Sequence, residues 1–402
     1  MSGPLEGLRV IEYCDELGQL AGKLLADMGA DVVKVEPPEG SSARAIGPFA
    51  RDVPGPNRSL NFWYHNTNKR SIVLDPGSDE GRETFLRLAR GADIVIEDRP
   101  PGELAGLGVD YPALSEGNPG LVHCSITPFG QDGPWSRFRS SDFIGLALGG
   151  PMMMNGYDQA DAPGAPPIRG HGDQGYNTTC HFATHGILAA LLYRDRTGAG
   201  QYIDCSMHEA LSCTTEVGMP YWLYKRQDVF RQTGRHAAAS RTEPWLYRAR
   251  DGRDVIIFGV GRDNAGWKLI KEWFQPEGFG LQFSEARFDS PQVRQPARGA
   301  PEAAEIMAEV GRFIAAHDAA EVYRGGQERG QAWGAVRSPE ETLDDPHWAD
   351  RGFFVPTEGE GASAPAMMPG APYVFSATPW ELRRPAPKLG EHTAEVLAEL
   401  GR

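Results

Sequence analysis

Residues 8–36 read LRVIEYCDELGQLAGKLLADMGADVVKVE, and this stretch decides the fold. RVIEY is a short β-rich run. Behind it Leu17, Leu20, Ala21, Leu24, Leu25 and Met28 recur along one helical face. Gly29 stops the helix, and DVVKVE reads as a second strand. Strand, helix, strand is the βαβ unit from which parallel sheets are built. The turn inside it, YCDELGQLAG, lacks the GxGxxG glycines that let a backbone approach a dinucleotide pyrophosphate, so no NAD site is implied.

Outward from this unit the pattern repeats. SIVLD (71–75), the helical EGRETFLRLARG and DIVIED (93–98) form another unit, and LVHCSIT (121–127) follows a further short helix. A helix near 177–194 carries Cys180, Ala183, Ile187, Ala190 and Leu191 on one face, and RTGAGQYIDCS follows as turn and strand. The expectation is an α/β protein whose large domain, residues 1–220, holds a Rossmann-like parallel sheet. DQADAPGAPPI (158–168) reads as a loop. After the polar, basic KRQDVFRQTGRH, a smaller α+β domain is expected over 225–335. In it GVGRDNAG (259–266) fails the dinucleotide spacing and reads as a turn, and 275–302 has little periodicity. The tail LGEHTAEVLAELG reads as one short amphipathic helix.

The chain has 402 residues and a formal charge of −14, which argues against general nucleic-acid affinity. Its five cysteines show no CxxC and no finger spacing, so neither a disulfide framework nor structural zinc is expected; four lie in apolar runs and read as buried thiols. MSGPLEGLRVIEY does not read as a signal peptide, and no apolar run approaches the roughly 18–20 residues of a membrane helix. The expected compartment is the cytoplasm.

NTNKRSIVLD, EGRETFLRL, GADIVIED, NPGLVHCSITPFGQDGP, GILAALLYRDRTGAGQYIDCSMHEA, DDPHWADRGFF and PAPKLGEHTAEVL, in this order after the opening βαβ unit, resemble a family III CoA-transferase. That is the CaiB/BaiF group of formyl-CoA transferase, carnitine CoA-transferase and α-methylacyl-CoA racemase. The resemblance implies that residues 340–402 return to the large domain and that two ring-like subunits interlock as an obligate dimer. It implies coenzyme A thioesters and carboxylic acids as substrates, with no metal and no NAD. It also implies an aspartate that attacks the acyl-CoA thioester, passes through a mixed anhydride, and carries CoA as an aspartyl thioester to a second acid.

Counting back ten residues from Gly186, the family's usual spacing, lands on Tyr176; Asp173 is the nearest carboxylate. Asp173 has two readings, catalytic nucleophile or helix cap. Tyr176 is a pocket hydrogen-bond donor or a packing residue. His171 is a loop residue with acid/base capacity. The family's ENFRPG stands here as Glu97-Asp98-Arg99-Pro100-Pro101-Gly102, without the motif's arginine position. The candidate CoA-binding set is therefore Asp98, Arg99, Arg44, Lys69, Arg70 and Arg139, the cations serving the carrier's phosphates. Racemases carry His-Asp where this chain has Ser141-Asp142; Ser141 cannot exchange a proton near neutral pH, and Asp142 reads as a helix cap. NFWYHN (61–66), Met152-Met153-Met154 and MPYWLY (219–224) are either an apolar acyl pocket or core and interface. Two functions remain: a working CoA-transferase on bulky or aromatic acids, or an impaired subunit of a heteromeric enzyme of the benzylsuccinate type. Racemase is the third and weakest.

Overall fold

The computed structural model describes residues 3–294, 300–362 and 364–401. Residues 295–299 of the low-periodicity stretch lie outside these. The chain divides into two compact units.

The first unit comprises residues 1–149, 170–214 and 343–402. Six parallel strands run β1 (Arg9–Tyr13), β2 (Asp31–Glu36), β3 (Lys69–Val73), β4 (Ile94–Glu97), β5 (Val122–Thr127) and β6 (Gln201–Ser206), in the spatial order β3-β2-β1-β4-β5-β6. The order reverses between β1 and β4, which is where open sheets of this kind hold ligands, beyond the carboxyl ends of the strands. The helices are α1 (Gln19–Asp27), α2 (Leu60–Asn66), α3 (Asp79–Arg90), α4 (Glu103–Leu107), α5 (Tyr111–Gly117), α6 (Asp142–Leu148), α8 (Gln174–Thr197) and α9 (Met207–Ser212), with α7 (Pro151–Met154) falling in the second unit. Val10, Ile11, Val32, Val33, Val95 and Ile96 are wholly buried in the sheet, as continuous apolar strands covered on both faces must be. The expected face of α8 is the buried one, with Cys180, Ala183, Ile187, Ala190 and Leu191 turned inward.

β3 begins two residues before the expected SIVLD, at Lys69. Its first two residues are cations that the fold buries in ion pairs. Lys69 and Lys34 share the Glu12 carboxylate at 2.6 and 2.8 Å, all three side chains fully buried. Lys69 also donates to the Gln19 carbonyl and Asn66, and Lys34 to the Cys14 carbonyl. Burial drags the Lys69 ammonium down to about 8 despite Glu12. Gly22 of α1 passes directly over this network: a Cβ there would lie 1.7 Å from Glu12 Oε2.

The outer edge of β3 is sealed from the far end of the chain. His392 N–H donates to the Ser71 carbonyl, and Val73 N–H to the Thr393 hydroxyl, at the start of α15 (Thr393–Glu399). Helix α14 (Pro346–Asp350) and the ribbon β10 (Phe354–Thr357) with β11 (Ala366–Pro369) belong to the same unit.

The second unit is residues 150–169 and 215–342, so the 158–168 loop joins it rather than the large domain as expected from the 1–220 span. Asp161 takes Arg235 and Arg241, and Asp158 N–H donates to Thr233, which is why the loop belongs there. After α10 (Gly218–Pro220), an antiparallel sheet of β7 (Leu246–Arg248), β8 (Asp254–Ile257) and β9 (Trp333–Ala335) packs with α11 (Asn264–Phe274), α12 (Pro301–Ala316) and α13 (Ala319–Glu328). Trp267, Phe274, Phe313 and Trp333 fill its core. Cys14, Cys124 and Cys180 are buried thiols, Cys205 is partly buried and Cys213 exposed. No described helix is long and apolar enough to cross a membrane, and no group of three His, Cys, Asp or Glu among the described residues is arranged to hold a metal ion.

Candidate active site

A cleft of about 760 Å³ opens beyond the carboxyl ends of β1, β4 and β5. Its walls come from the loop after β1 (Asp15, Glu16, Leu17), the loop after β4 (Asp98 to Glu103), the 136–140 segment and Tyr176 of α8. This is the crevice at the strand-order reversal.

The loop after β1 has no anion-binding glycine turn, and a carboxylate of the protein occupies its amides. Asp98 accepts from Asp15 N–H at 2.9 Å and Gly18 N–H at 3.0 Å, and takes the Arg99 guanidinium at 2.8 Å. Arg99 Nη2 also pairs with Asp15 at 2.5 Å, and the guanidinium lies over the Tyr13 ring. Asp98 lies in the cleft wall, and its oxygens organise the loop after β1 that forms part of that wall. Arg99 faces the cleft as a cation already shared between two carboxylates.

The start of α8 is held differently. Asp142, at the head of α6, accepts from Gly175 N–H at 2.7 Å and Tyr176 N–H at 3.3 Å. It therefore caps a helix, though α8 rather than the one it begins; Ser141 caps α6 by accepting from Ile144 N–H. Gly175 is required for this approach, since a Cβ there would sit 2.9 Å from Asp142 Oδ1. Asp173 occupies the N-cap position of α8 and makes no side-chain cap bond. The cap reading of Asp173 is thereby corrected: its capping work is done by Asp142. Asp173 is held at φ 52°, ψ 45°, the left-handed region that costs a non-glycine residue about 1 kcal/mol or more. Its carboxylate is close enough to Glu16 and Tyr176 to act on both. Burial first, then the charges of Asp15 and Asp173, push the Glu16 carboxyl up. Burial, with Glu16, Asp142 and Asp173 adding, raises the Tyr176 phenol to about 12, so it is a hydrogen-bond donor at any working pH.

Three expected CoA cations are corrected by burial. Arg44 is 3% exposed, forked onto Glu36 at 2.6 and 2.7 Å and stacked on Phe62. Lys69 is enclosed with Glu12. Arg70 is bound to Asp31, Glu395 and Glu399. Their donors are committed to protein acceptors, leaving none for a phosphate. Arg139 stands exposed at the cleft wall, and Arg137 beside it, unnamed by the sequence reading, is likewise exposed. Neither makes an ion pair or side-chain hydrogen bond among the described residues. His171 is exposed in the loop before α8, gives only its carbonyl to Gln174, and is not part of the cleft wall. Of the three apolar stretches, Phe62 and Trp63 pack in the first unit's interior, and Met152–Met154 and 219–224 lie in the second unit. Asp15, Glu16, Glu103, Arg137 and Phe138 are among the cleft residues without a signal as site candidates in the linear sequence, except for the aromatic-basic alternation WSRFR (135–139).

The profile of the family described as CoA-transferase family III matches residues 5–393. The chain is 33% identical over 395 residues to the succinyl-CoA:(R)-benzylsuccinate CoA-transferase subunit BbsE of Thauera aromatica, covering 98% of this chain and 93% of that protein. It is 34% identical over 404 residues to a succinate–glutarate CoA-transferase of Agrobacterium fabrum, covering 99% and 96%. A crystal structure of a CAIB/BAIF family protein from Brucella suis superposes with a TM-score of 0.82 at 30% identity, covering all of both chains.

Proposed function

The chain belongs to CoA-transferase family III, as a transferase or a subunit of one, and from that premise we propose that Asp173 is the residue that carries CoA between two acids. The observation behind this is the division of labour at α8: Asp142 satisfies the helix amides, so the strained Asp173 carboxylate is free of them and lies beside Glu16 and Tyr176 of the cleft.

In the proposed reaction an Asp173 oxygen attacks the thioester carbonyl, and the C–S bond breaks to give a mixed anhydride and CoA thiolate. The thiolate attacks the aspartyl carbon of the anhydride, releases the first acid and leaves an aspartyl-CoA thioester. The second acid's carboxylate repeats the sequence in reverse and regenerates Asp173. Each tetrahedral oxyanion needs donors, and the Tyr176 hydroxyl is the side-chain donor proposed for that role. Arg139 and Arg137 hold the phosphates of the carrier, with Arg99 as a cation of the cleft wall. Both named relatives handle dicarboxylic acids, benzylsuccinate and succinate in one, succinate and glutarate in the other; a dicarboxylic acid is the proposed substrate class here. The cytoplasm, where CoA thioesters are made and spent, is the proposed compartment, and an interlocked dimer the proposed assembly.

The test is to incubate the purified chain with succinyl-CoA and cleave the product with hydroxylamine or borohydride. A modification mapped to Asp173 is the expected result; full activity in Asp173→Ala excludes the assignment. The likeness to BbsE, itself named a subunit, supports the second reading, a heterodimer with a related chain. In that case adduct formation appears only on co-expression with the partner.

A further inference from the structure

Strand β5 is VHCSIT, and alternation sends Cys124 and Ile126 to one face of the sheet and His123 and Ser125 to the other. Helix α8 covers the first face, where Cys205 of the neighbouring strand donates to the Thr179 carbonyl. On the opposite face Glu97, His123 and Tyr202, from three adjacent strands, line a cavity of about 310 Å³ together with Leu104 of α4 and Tyr111 of α5. Glu97 has partners within the fold: Oε2 accepts from Arg99 N–H at 2.6 Å, and the Ser125 hydroxyl bonds the carboxylate. His123 is different. It is 1% exposed, and neither ring nitrogen has a hydrogen-bond partner among the described residues. A buried imidazole in that state costs free energy until something meets it. Burial drags it down to about 4, so it is neutral and offers one donor and one acceptor. Nε2 lies 3.9 Å from Glu97 Oε1, too far for a hydrogen bond but a span that one hydroxyl can bridge. The Tyr111 and Tyr202 rings lie 6.0 and 5.3 Å from the imidazole, Tyr202 edge-on, and make an aromatic wall. Pro100 borders both this cavity and the cleft, but Glu97, His123 and these two tyrosines line the cavity alone.

We propose that this cavity is a second binding site, for a neutral single-ring aromatic that carries a hydroxyl, a phenol. The ring lies against Tyr111 and Tyr202, and the hydroxyl sits between His123 Nε2 and Glu97 Oε1. The site goes beyond the transfer of CoA and shares no polar side chain with the cleft. A carboxylate or phosphate there would set a second negative charge beside Glu97, and a plain hydrocarbon would leave the imidazole unmet. Water would meet the imidazole but leave the aromatic wall without a ring to pack on it.

The probes are 4-methylphenol, toluene and 4-methylbenzoate, titrated into the whole chain by calorimetry with and without saturating CoA. 4-Methylphenol is expected to bind about 10-fold tighter than either of the others, and CoA does not displace it. His123→Phe keeps a ring and removes both nitrogens. It lowers the affinity for 4-methylphenol about 10-fold, leaves that for toluene unchanged, and raises the melting temperature of the unliganded chain, because the unmet group is gone. Ala105→Trp fills the cavity from α4 without touching a polar group, and abolishes binding. Equal affinities for 4-methylphenol and toluene, or indifference to His123→Phe, overturn the phenol assignment. No heat with any probe overturns the site and leaves water as the occupant. Displacement by CoA, or binding retained in Ala105→Trp, puts the probe elsewhere and overturns it equally. A lower melting temperature in His123→Phe means that the imidazole serves the fold through an ordered water, and this too sinks the site.

Discussion

Helices α1 and α8 both point their first turns at the cleft, and both have those turns held by a carboxylate from elsewhere: Asp98 for the loop into α1, Asp142 for α8. At α1 the arrangement is closed. Asp98 is bound to two amides and to Arg99, and Arg99 turns back to Asp15 of the same loop. At α8 it is open, because the helix's own N-cap carboxylate, Asp173, has no amide to serve. Under the proposed function, the difference separates an acid that builds from an acid that reacts. A borrowed cap is what makes the local acid available.

That contrast can be broken most directly by removing each acid. Asp173→Ala is expected to lower the transfer rate by at least about 10³-fold, while changing stability by no more than roughly 0.5 kcal/mol in a denaturant titration. A large loss of stability in this variant would put Asp173 back among the structural acids. Asp98→Ala, by contrast, orphans two amides and takes from Arg99 one of its two carboxylate partners, and should cost on the order of 3 kcal/mol in chemical unfolding. Asp142→Ala should cost about 1–3 kcal/mol and slow the reaction by loosening the residue that precedes α8, with hydrogen exchange at Gly175 and Tyr176 speeding up first. Gly175→Ala tests the same contact from the other side: the added methyl meets Asp142 Oδ1, for a loss of roughly 1–3 kcal/mol in thermal unfolding.

The smallest effect is in pH dependence. Burial pushes Asp15 up, but Arg99 and the Ser41 hydroxyl outweigh it and hold the carboxyl below its ordinary range. A depressed carboxyl stabilises the fold above the unfolded value, near 4, and loses that contribution as the pH falls through the folded one. The stability gap between wild type and Arg99→Met should therefore narrow as the pH is taken below about 4. A gap that stays constant down to pH 2 would mean that the closed loop at α1 does not depend on this pair.

The layout of the first unit was legible because most of its strands carry short runs rich in Val and Ile and its helices are periodic; RVIEY, DVVKVE and the inward face of α8 fall where their patterns say. What stayed hidden was the destination of charge. Arg44, Lys69 and Arg70 look like surface cations in a linear reading, since a basic residue buried against Glu36, Glu12 or Asp31 has the same letter as one in water. The state of Asp173 was undecidable for a similar reason: its rival for the α8 amides lies more than thirty residues away, and neither spacing nor propensity connects the two. The 158–168 loop was assigned by chain order, whereas its allegiance is fixed by Arg235 and Arg241.

The seal on β3 has a consequence for how the chain is made. Val73 and its cover at Thr393 are 320 residues apart in sequence. At about 5–20 residues per second a ribosome needs roughly 15–60 s to deliver the second after the first. For that interval the nascent sheet presents a bare flank to everything else in the cell, and only the segment around Thr393 withdraws the invitation.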